Sequence, residues 1–167
     1  LEKNETPADF LADSFNPASY DRAAIDPGLY AKFVLARGSM LAKADLTSGV
    51  VGEFPKLQGI MGSTYAKRGG ETDEISVAIY EHYLPTASGG QLPVSMPGAI
   101  ISIADKIDTI CGCFSVGLVP TGAQDPYGLR RQALGIIAII LDKSLCLPLD
   151  QLIDKALDLL EQKRTRE

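Results

Sequence analysis

The chain has 167 residues, of which 46% are apolar and 22% charged, a balance that is typical of one globular domain and excludes wholesale disorder. The formal net charge is −5 at pH 7, so the overall charge does not attract nucleic acid, and contact with RNA would need a local basic patch. The chain has one histidine, which weakens most interpretations as a metal hydrolase or a histidine-based acid–base enzyme.

The three cysteines, Cys111, Cys113 and Cys146, are odd in number and do not form a disulfide framework, so we predict free thiols and a cytoplasmic protein. We expect no secretory signal, since the first residues lack a basic and an apolar region, and no membrane partner, since no apolar run approaches about 20 residues. Because the chain begins at Leu1 rather than at methionine, we expect a piece of a longer protein.

The first 38 residues are poorly patterned, and we assign residues 1–38 as an N-terminal arm or connecting segment. The triplet Asp26-Pro27-Gly28 predicts a turn, and residues 29–36 predict one short helix. The pair Gly38-Ser39 then breaks the helical pattern. We therefore place the domain boundary after residue 38 and assign residues 39–167 to the folded domain.

The remainder of the chain has helical periodicity and no strand pattern. Thr72 is a predicted N-cap, and Asp125 is another, with Pro126 at the first helical position. The helix that follows Asp125 is apolar nearly all round, so we expect it to be central. The sequence predicts an all-α bundle of about six helices, near residues 41–51, 57–68, 73–84, 98–113, 126–141 and 148–166.

Several residues could carry chemistry, although each has an ordinary structural interpretation. His82 lies on the apolar stripe of its helix, which is more typical of a core residue than of a ligand. Asp105 and Asp108 are three residues apart and could bind a divalent cation, but such pairs more often form a solvated edge or pair with a nearby cation such as Lys106. The segment Gly59-Ile60-Met61-Gly62 matches a nucleic-acid clamp, but it lacks the α/β context of that clamp, and we favour close helix packing.

Arg130 and Arg131 lie early in a predicted helix, where the helix dipole disfavours cations. Their position indicates an anionic partner, which is either a carboxylate of the same domain or a phosphate of RNA.

Longer motifs extend this interpretation. The chain resembles the β subunit of bacterial glycyl-tRNA synthetase over about residues 41–160, and several motifs occur in the order of that family. The resemblance rests on Lys43-Ala44-Asp45-Leu46, on the stretch from Glu53 to Gly62, on Glu81-His82-Tyr83, on Ala104-Asp105-Lys106, on Pro120-Thr121-Gly122 with Asp125-Pro126, and on Leu129-Arg130-Arg131. The first 40 residues do not match, and the family's subunit is much longer, so the resemblance implies one internal domain.

The resemblance also implies an HD-domain-like helical bundle. An HD site needs a histidine, a His-Asp pair and a later aspartate around one or two metal ions that activate water. Here only Asp45 remains where the His-Asp pair would be, while His82 and Asp105 stand for the other ligands. With a single histidine the ligand set is incomplete, so the resemblance implies a degenerate HD fold with no metal and no catalytic residue.

The activity that the resemblance implies is the joining of glycine to tRNA with ATP. In the family the α subunit holds the adenylation site, while the β subunit binds tRNA-Gly and assembles with α. We expect no cofactor on this domain, ATP and Mg in the holoenzyme, and no DNA partner. The expected phosphate contacts are Arg130, Arg131 and Lys106. Two alternatives stay open, a metal-dependent phosphohydrolase that uses Asp45, His82 and Asp105, and a purely structural assembly module.

Overall fold

The computed structural model describes residues 26–122 and 124–164, and this part of the chain is all-α, as the sequence predicts. Seven α-helices occur in it: α1 (Pro27–Leu41), α2 (Gly49–Glu53), α3 (Ile60–Arg68), α4 (Asp73–Glu81), α5 (Met96–Ser115), α6 (Leu129–Asp142) and α7 (Leu149–Arg164). Two 3₁₀ turns, Ala44–Thr47 and Pro55–Leu57, flank α2. The described residues contain no strand, and the bridge between Thr121 and Gln124 is isolated.

Helix α1 is longer than the sequence predicts. Asp26 caps it, because the side chain accepts a hydrogen bond of 2.9 Å from Leu29 N. The predicted break at Gly38 is wrong, since the helix continues to Leu41 and Gly38 is buried. A Cβ at Gly38 would lie 3.0 Å from Ile101 Cδ1, so this glycine permits close approach of α1 and α5 rather than ending the helix. The predicted domain boundary therefore falls inside α1, and residues 1–25 of the predicted arm lie outside the described residues.

The predicted helix over residues 41–51 is interrupted. A 3₁₀ turn comes first, and α2 then starts after Ser48, whose hydroxyl accepts a hydrogen bond from Val51 N at 3.3 Å. Helix α4 begins as predicted, with Thr72 accepting from Ile75 N. Helix α6 begins at Leu129, later than predicted, although Asp125 still accepts hydrogen bonds from two of its first amides.

The central helix is α5 rather than α6. Helix α5 packs against α1, α4, α6 and α7. One core cluster joins α5 to α6 and contains Ile103, Ile107 and Ile139, and another joins α1 to α4 and contains Phe33 and Ile79. The prediction that α6 is central is wrong because one side of it faces solvent. None of the described helices is both long enough and apolar enough to cross a membrane.

Candidate functional site

Five side chains meet where the first 3₁₀ turn, the start of α3, the end of α4 and the middle of α5 come together, and we call them the Lys43 cluster: Lys43, Asp45, His82, Tyr83 and Asp105. The ring of Tyr83 contacts two of the others. Its centroid lies 4.0 Å from that of the His82 ring, with the two ring planes inclined at 46°, and the ammonium of Lys43 lies 4.1 Å from the Tyr83 centroid. The cluster therefore brings together the three positions that the sequence analysis assigned to a degenerate HD site.

Asp45 is buried and caps α3. Its Oδ2 accepts hydrogen bonds from Gly59 N at 2.7 Å and from Gly62 N at 3.0 Å. A carboxylate at this position compensates the positive end of the helix dipole and satisfies two amides that have no partner within the helix. The other oxygen, Oδ1, is buried and has no hydrogen-bond partner among the described residues.

The Asp45 contacts also explain the Gly-x-x-Gly segment. Gly59 has a φ of +76°, and a Cβ there would lie 2.6 Å from Tyr83 Cδ2. A Cβ at Gly62 would lie 3.0 Å from Ile79 Cγ2 and 3.1 Å from Asp45 Oδ2. Both glycines are thus needed for close packing, and their amides bind a carboxylate of the same chain. This geometry agrees with the packing interpretation rather than with a clamp for phosphate.

His82 is fully buried at the end of α4. Its Nδ1 lies 2.5 Å from the carbonyl oxygen of Ile79. Because a carbonyl oxygen only accepts, Nδ1 carries the proton and donates the hydrogen bond. Burial, followed by the positive charge of Lys43, lowers the pKa of His82 to about 4, although the Ile79 carbonyl and Asp105 oppose this shift. The imidazole is therefore neutral at pH 7. Its Nε2 is then an acceptor, and it has no partner among the described residues.

The carboxylate of Asp105 is paired with a lysine. Lys43 Nζ lies 3.0 Å from Asp105 Oδ2, in a pair that is partly exposed. The phenol of Tyr83 is affected by burial and by both carboxylates. Burial, and then the negative charges of Asp45 and Asp105, raise the pKa of Tyr83 to about 12. Tyr83 therefore keeps its phenol proton, and the hydroxyl is buried without a partner in the described part of the chain.

These residues do not fit a divalent cation. One oxygen of Asp45 is bound to two amides, and Asp105 is paired with the Lys43 ammonium, which would repel a metal ion. Across residues 26–122 and 124–162, there is no group of three or more His, Cys, Asp or Glu side chains that could hold a metal ion. The Lys43 ammonium thus supplies positive charge in the place where the HD resemblance implies a metal.

Lys106, a predicted phosphate contact, lies in the interior. It is 4% exposed, and its ammonium donates hydrogen bonds to the carbonyls of His82 and Leu84 and to Ser102 Oγ. Burial, with a smaller contribution from Lys43, lowers the pKa of Lys106 to about 8. The hydrogen bonds that its ammonium donates connect the end of α4 to α5, so Lys106 is not placed to contact a phosphate.

Arg130 and Arg131 lie side by side on the first turn of α6, and both are exposed. The Nη1 of Arg130 donates a hydrogen bond of 2.5 Å to the carbonyl of Gly122. Within residues 26–122 and 124–162, neither guanidinium forms a salt bridge with a carboxylate. Of the two partners that the sequence analysis left open, the carboxylate is represented by Asp125, which interacts electrostatically with both arginines without forming a salt bridge in the described part of the chain.

Sequence reasoning missed three residues at or beside this cluster. Lys43 and Tyr83 complete the cluster, and Glu81 holds the start of α5 by accepting hydrogen bonds from Val94 N at 2.8 Å and Ser95 N at 2.9 Å. Lys43 and Tyr83 occur in the motifs quoted above, but no short-range spacing connects them. Lys43 and Asp105 are 62 residues apart in the chain.

Comparison with known proteins assigns the family. The family model described as "Glycyl-tRNA synthetase beta subunit" matches residues 8–167, including most of the segment that the sequence analysis left unassigned. The chain is 54% identical over 166 residues to the glycine–tRNA ligase beta subunit of Geobacter metallireducens, and 55% identical over 166 residues to that of Geobacter sulfurreducens. Each match covers 99% of this chain and 22% of the relative.

A third relative, the glycine–tRNA ligase beta subunit of Citrifermentans bemidjiense, is 62% identical over 130 residues, which are 78% of this chain and 19% of that protein. The chain thus spans about a fifth of the length of these relatives. On the evidence of the family model and of these identities, the chain belongs to the glycyl-tRNA synthetase beta subunit family.

Proposed function

We propose that the chain is a non-catalytic domain of a glycine–tRNA ligase β subunit that docks tRNA-Gly, contributes to assembly with the α subunit, or does both. The ATP-dependent formation of glycyl-tRNA is then a reaction of the holoenzyme, which uses ATP and Mg, and this domain binds neither. We further propose that the bundle is a degenerate HD fold, which is supported by the meeting of Asp45, His82 and Asp105 in one cluster. A cytoplasmic location stays a prediction from the cysteine count.

The observation that carries the tRNA proposal is the pair of exposed arginines at the start of α6. Two cations beside the positive end of a helix repel that end. The Asp125 carboxylate offsets part of this repulsion, but it forms no salt bridge with either guanidinium in the described residues, and both arginines stay exposed. A phosphate would offset the remaining repulsion, since a guanidinium binds phosphate with two parallel hydrogen bonds. Contacts of this kind position an RNA without reading its sequence, and a local pair of cations can provide them in an acidic protein.

The test uses the holoenzyme assembled from the full-length β subunit that contains this chain. Binding of tRNA-Gly is measured across a salt series for wild type, Arg130→Ala and Arg131→Ala, with Lys32→Ala, an exposed cation on α1, as the matched control. We expect each arginine variant to bind more weakly, with the slope of log K against log salt reduced by about 0.7–0.9 per lost phosphate contact. The Lys32 variant keeps the wild-type slope.

A different result would favour the structural alternative. If both arginine variants bind tRNA with the wild-type slope while α–β assembly weakens, the domain acts in assembly and not in tRNA docking. If tRNA binding and assembly are both unchanged, neither proposed role belongs to these arginines.

The phosphohydrolase alternative has one observation in its favour, which is that Asp45, His82 and Asp105 converge, and one against it, which is the Lys43–Asp105 ion pair. A phosphohydrolase and a non-catalytic domain are distinguished by measuring bound metal and phosphoester turnover with Mn²⁺ or Mg²⁺. Turnover that disappears in Asp105→Ala would revive the phosphohydrolase, whereas we expect no turnover in either protein.

A further inference from the structure

The outward side of α6 carries three large aliphatic side chains that stay about half or more exposed in the described structure, and we call them the α6 stripe: Leu134, Ile137 and Leu141. Their exposed fractions are 57%, 48% and 72%. At 100° per residue the three side chains fall within a 60° arc, so they form one continuous row along the helix. The opposite side of α6 is packed in the core through Ile136 and Ile139.

Such a row differs from the scattered exposed apolar residues of an ordinary surface. Contiguous exposed apolar patches mark surfaces that contact another protein segment or a membrane. RNA is a poor occupant, because aliphatic side chains offer phosphate no hydrogen-bond donor, and the basic residues of α6 lie at its first turn, before the stripe begins. The stripe is therefore a protein-contact surface, and it begins one turn after Arg130, which lies on the same side of the helix.

The size of the stripe favours one kind of protein partner. Three side chains expose only a few hundred Å², whereas a stable interface between separate chains buries about 800 Å² on each partner. A segment of the same polypeptide needs less, because the covalent link gives it a high effective concentration at the site. The relatives contain further chain that could supply such a segment, because the matched region is only 22% of the relatives at 54% and 55% identity.

We propose that the α6 stripe is an interdomain contact within the β subunit, packed against a part of the same polypeptide that lies outside these 167 residues. In the complete subunit the three side chains are then buried, and α6 becomes an internal helix. This explains why the sequence of α6 is apolar nearly all round although one side of the helix faces solvent in the structure of this chain. This interdomain contact does not depend on the role proposed for the arginines.

The experiment places a photo-cross-linking amino acid, benzoylphenylalanine, at Leu141 of the full-length β subunit, with the same replacement at Met40 as the matched control. Met40 is 57% exposed and lies on α1, so it has comparable exposure away from the stripe. Because both side chains point mainly into solvent, neither replacement disturbs the core. The β subunit is irradiated alone, with α, and with α and tRNA-Gly, and the cross-linked peptides are identified by mass spectrometry.

We expect the Leu141 probe to form an intrachain cross-link to a β peptide outside this chain, at the mass of a single β subunit, already in the absence of α and tRNA. The yield exceeds that of the Met40 probe at least several-fold. A cross-link to α, a product with the mass of two β subunits, a cross-link to tRNA, or a yield equal to the control would each overturn the inference. Loss of tRNA binding in the arginine variants, or its persistence, leaves this result unchanged, so the two proposals fail independently.

Discussion

Acidification is expected to destabilise the folded chain through one residue, His82. The imidazole is neutral and buried in the fold, where its pKa is about 4, whereas in the unfolded chain it takes its ordinary pKa of about 6.5. Between these two pH values the unfolded chain binds more protons than the folded chain. Stability is therefore fully present above pH 6.5 and is lost as the pH falls through 6.5 toward 4.

The magnitude follows from the two pKa values. Each unit by which the pH falls in this interval lowers the free energy of unfolding by at most about 1.4 kcal/mol. The free energy of unfolding is therefore lower by about 2 kcal/mol at pH 5 and by about 3 kcal/mol at pH 4. Because the chain has one histidine, no second imidazole contributes. Ordinary carboxyl groups titrate mostly below pH 5, so the change between pH 7 and pH 5 reports on His82.

The assay is urea unfolding of the 167-residue chain at half-unit steps from pH 7.5 to pH 5, with His82→Gln as the comparison. The variant can start from a lower free energy of unfolding, since it loses the ring contact with Tyr83, and only its pH dependence matters. We expect the variant to be nearly flat over this range. A wild-type free energy that does not change between pH 7 and pH 5, or an equal slope in the variant, would refute the account of a buried neutral histidine.

Three further predictions concern the Lys43 cluster and α3. Asp45→Ala leaves two amides at the start of α3 without their acceptor, and we expect a loss of about 2–4 kcal/mol in urea unfolding, with a smaller loss for Asp45→Asn; equal losses would contradict the capping role. Gly59→Ala puts a Cβ at a positive φ and against a tyrosine ring, so its melting temperature falls by an amount equivalent to at least about 1–2 kcal/mol, whereas Gly52→Ala, with open space around its Cβ, is neutral or stabilising. Lys43→Met removes a charge that lowers the pKa of His82, so that pKa rises in an NMR titration while stability changes by less than about 1 kcal/mol; an unchanged pKa would mean that burial alone sets it.

The helical class and several helix starts were predictable because their signals are local. Thr72 is an example, since a capping hydroxyl and the amide that it accepts from are three residues apart. The continuation of α1 was not predictable in this way, because Gly38 faces Ile101, 63 residues further along the chain. A glycine that ends a helix and one that permits close helix packing look alike in a single sequence. The centrality of α6 was misjudged for a related reason, since apolar residues on every side can face either a core or a surface that awaits a partner.

The candidate site was predictable in its residues but not in its chemistry. Motif resemblance brought Asp45, His82 and Asp105 forward, and they do lie in one cluster. Their partners could not be foreseen, because Asp45 binds backbone amides 14 and 17 residues away, and Asp105 pairs with a lysine 62 residues away. The burial of Lys106 was hidden for the same reason, since its acceptors include backbone carbonyls after α4, which carry no signal in the sequence.

Two of the buried charged side chains in the described part of the chain have a consequence for how it moves. Asp45 is held by the amides at the start of α3, and Lys106 by the carbonyls at the end of α4, so each charge is stabilised by backbone groups. If α3 slid away from the turn that carries Asp45, or α4 away from α5, a charge would be left in the interior with nothing to bind it. We therefore expect the turn and these three helices to move as one rigid body. Larger motions are then expected at hinges outside this unit, which would be carried as a whole.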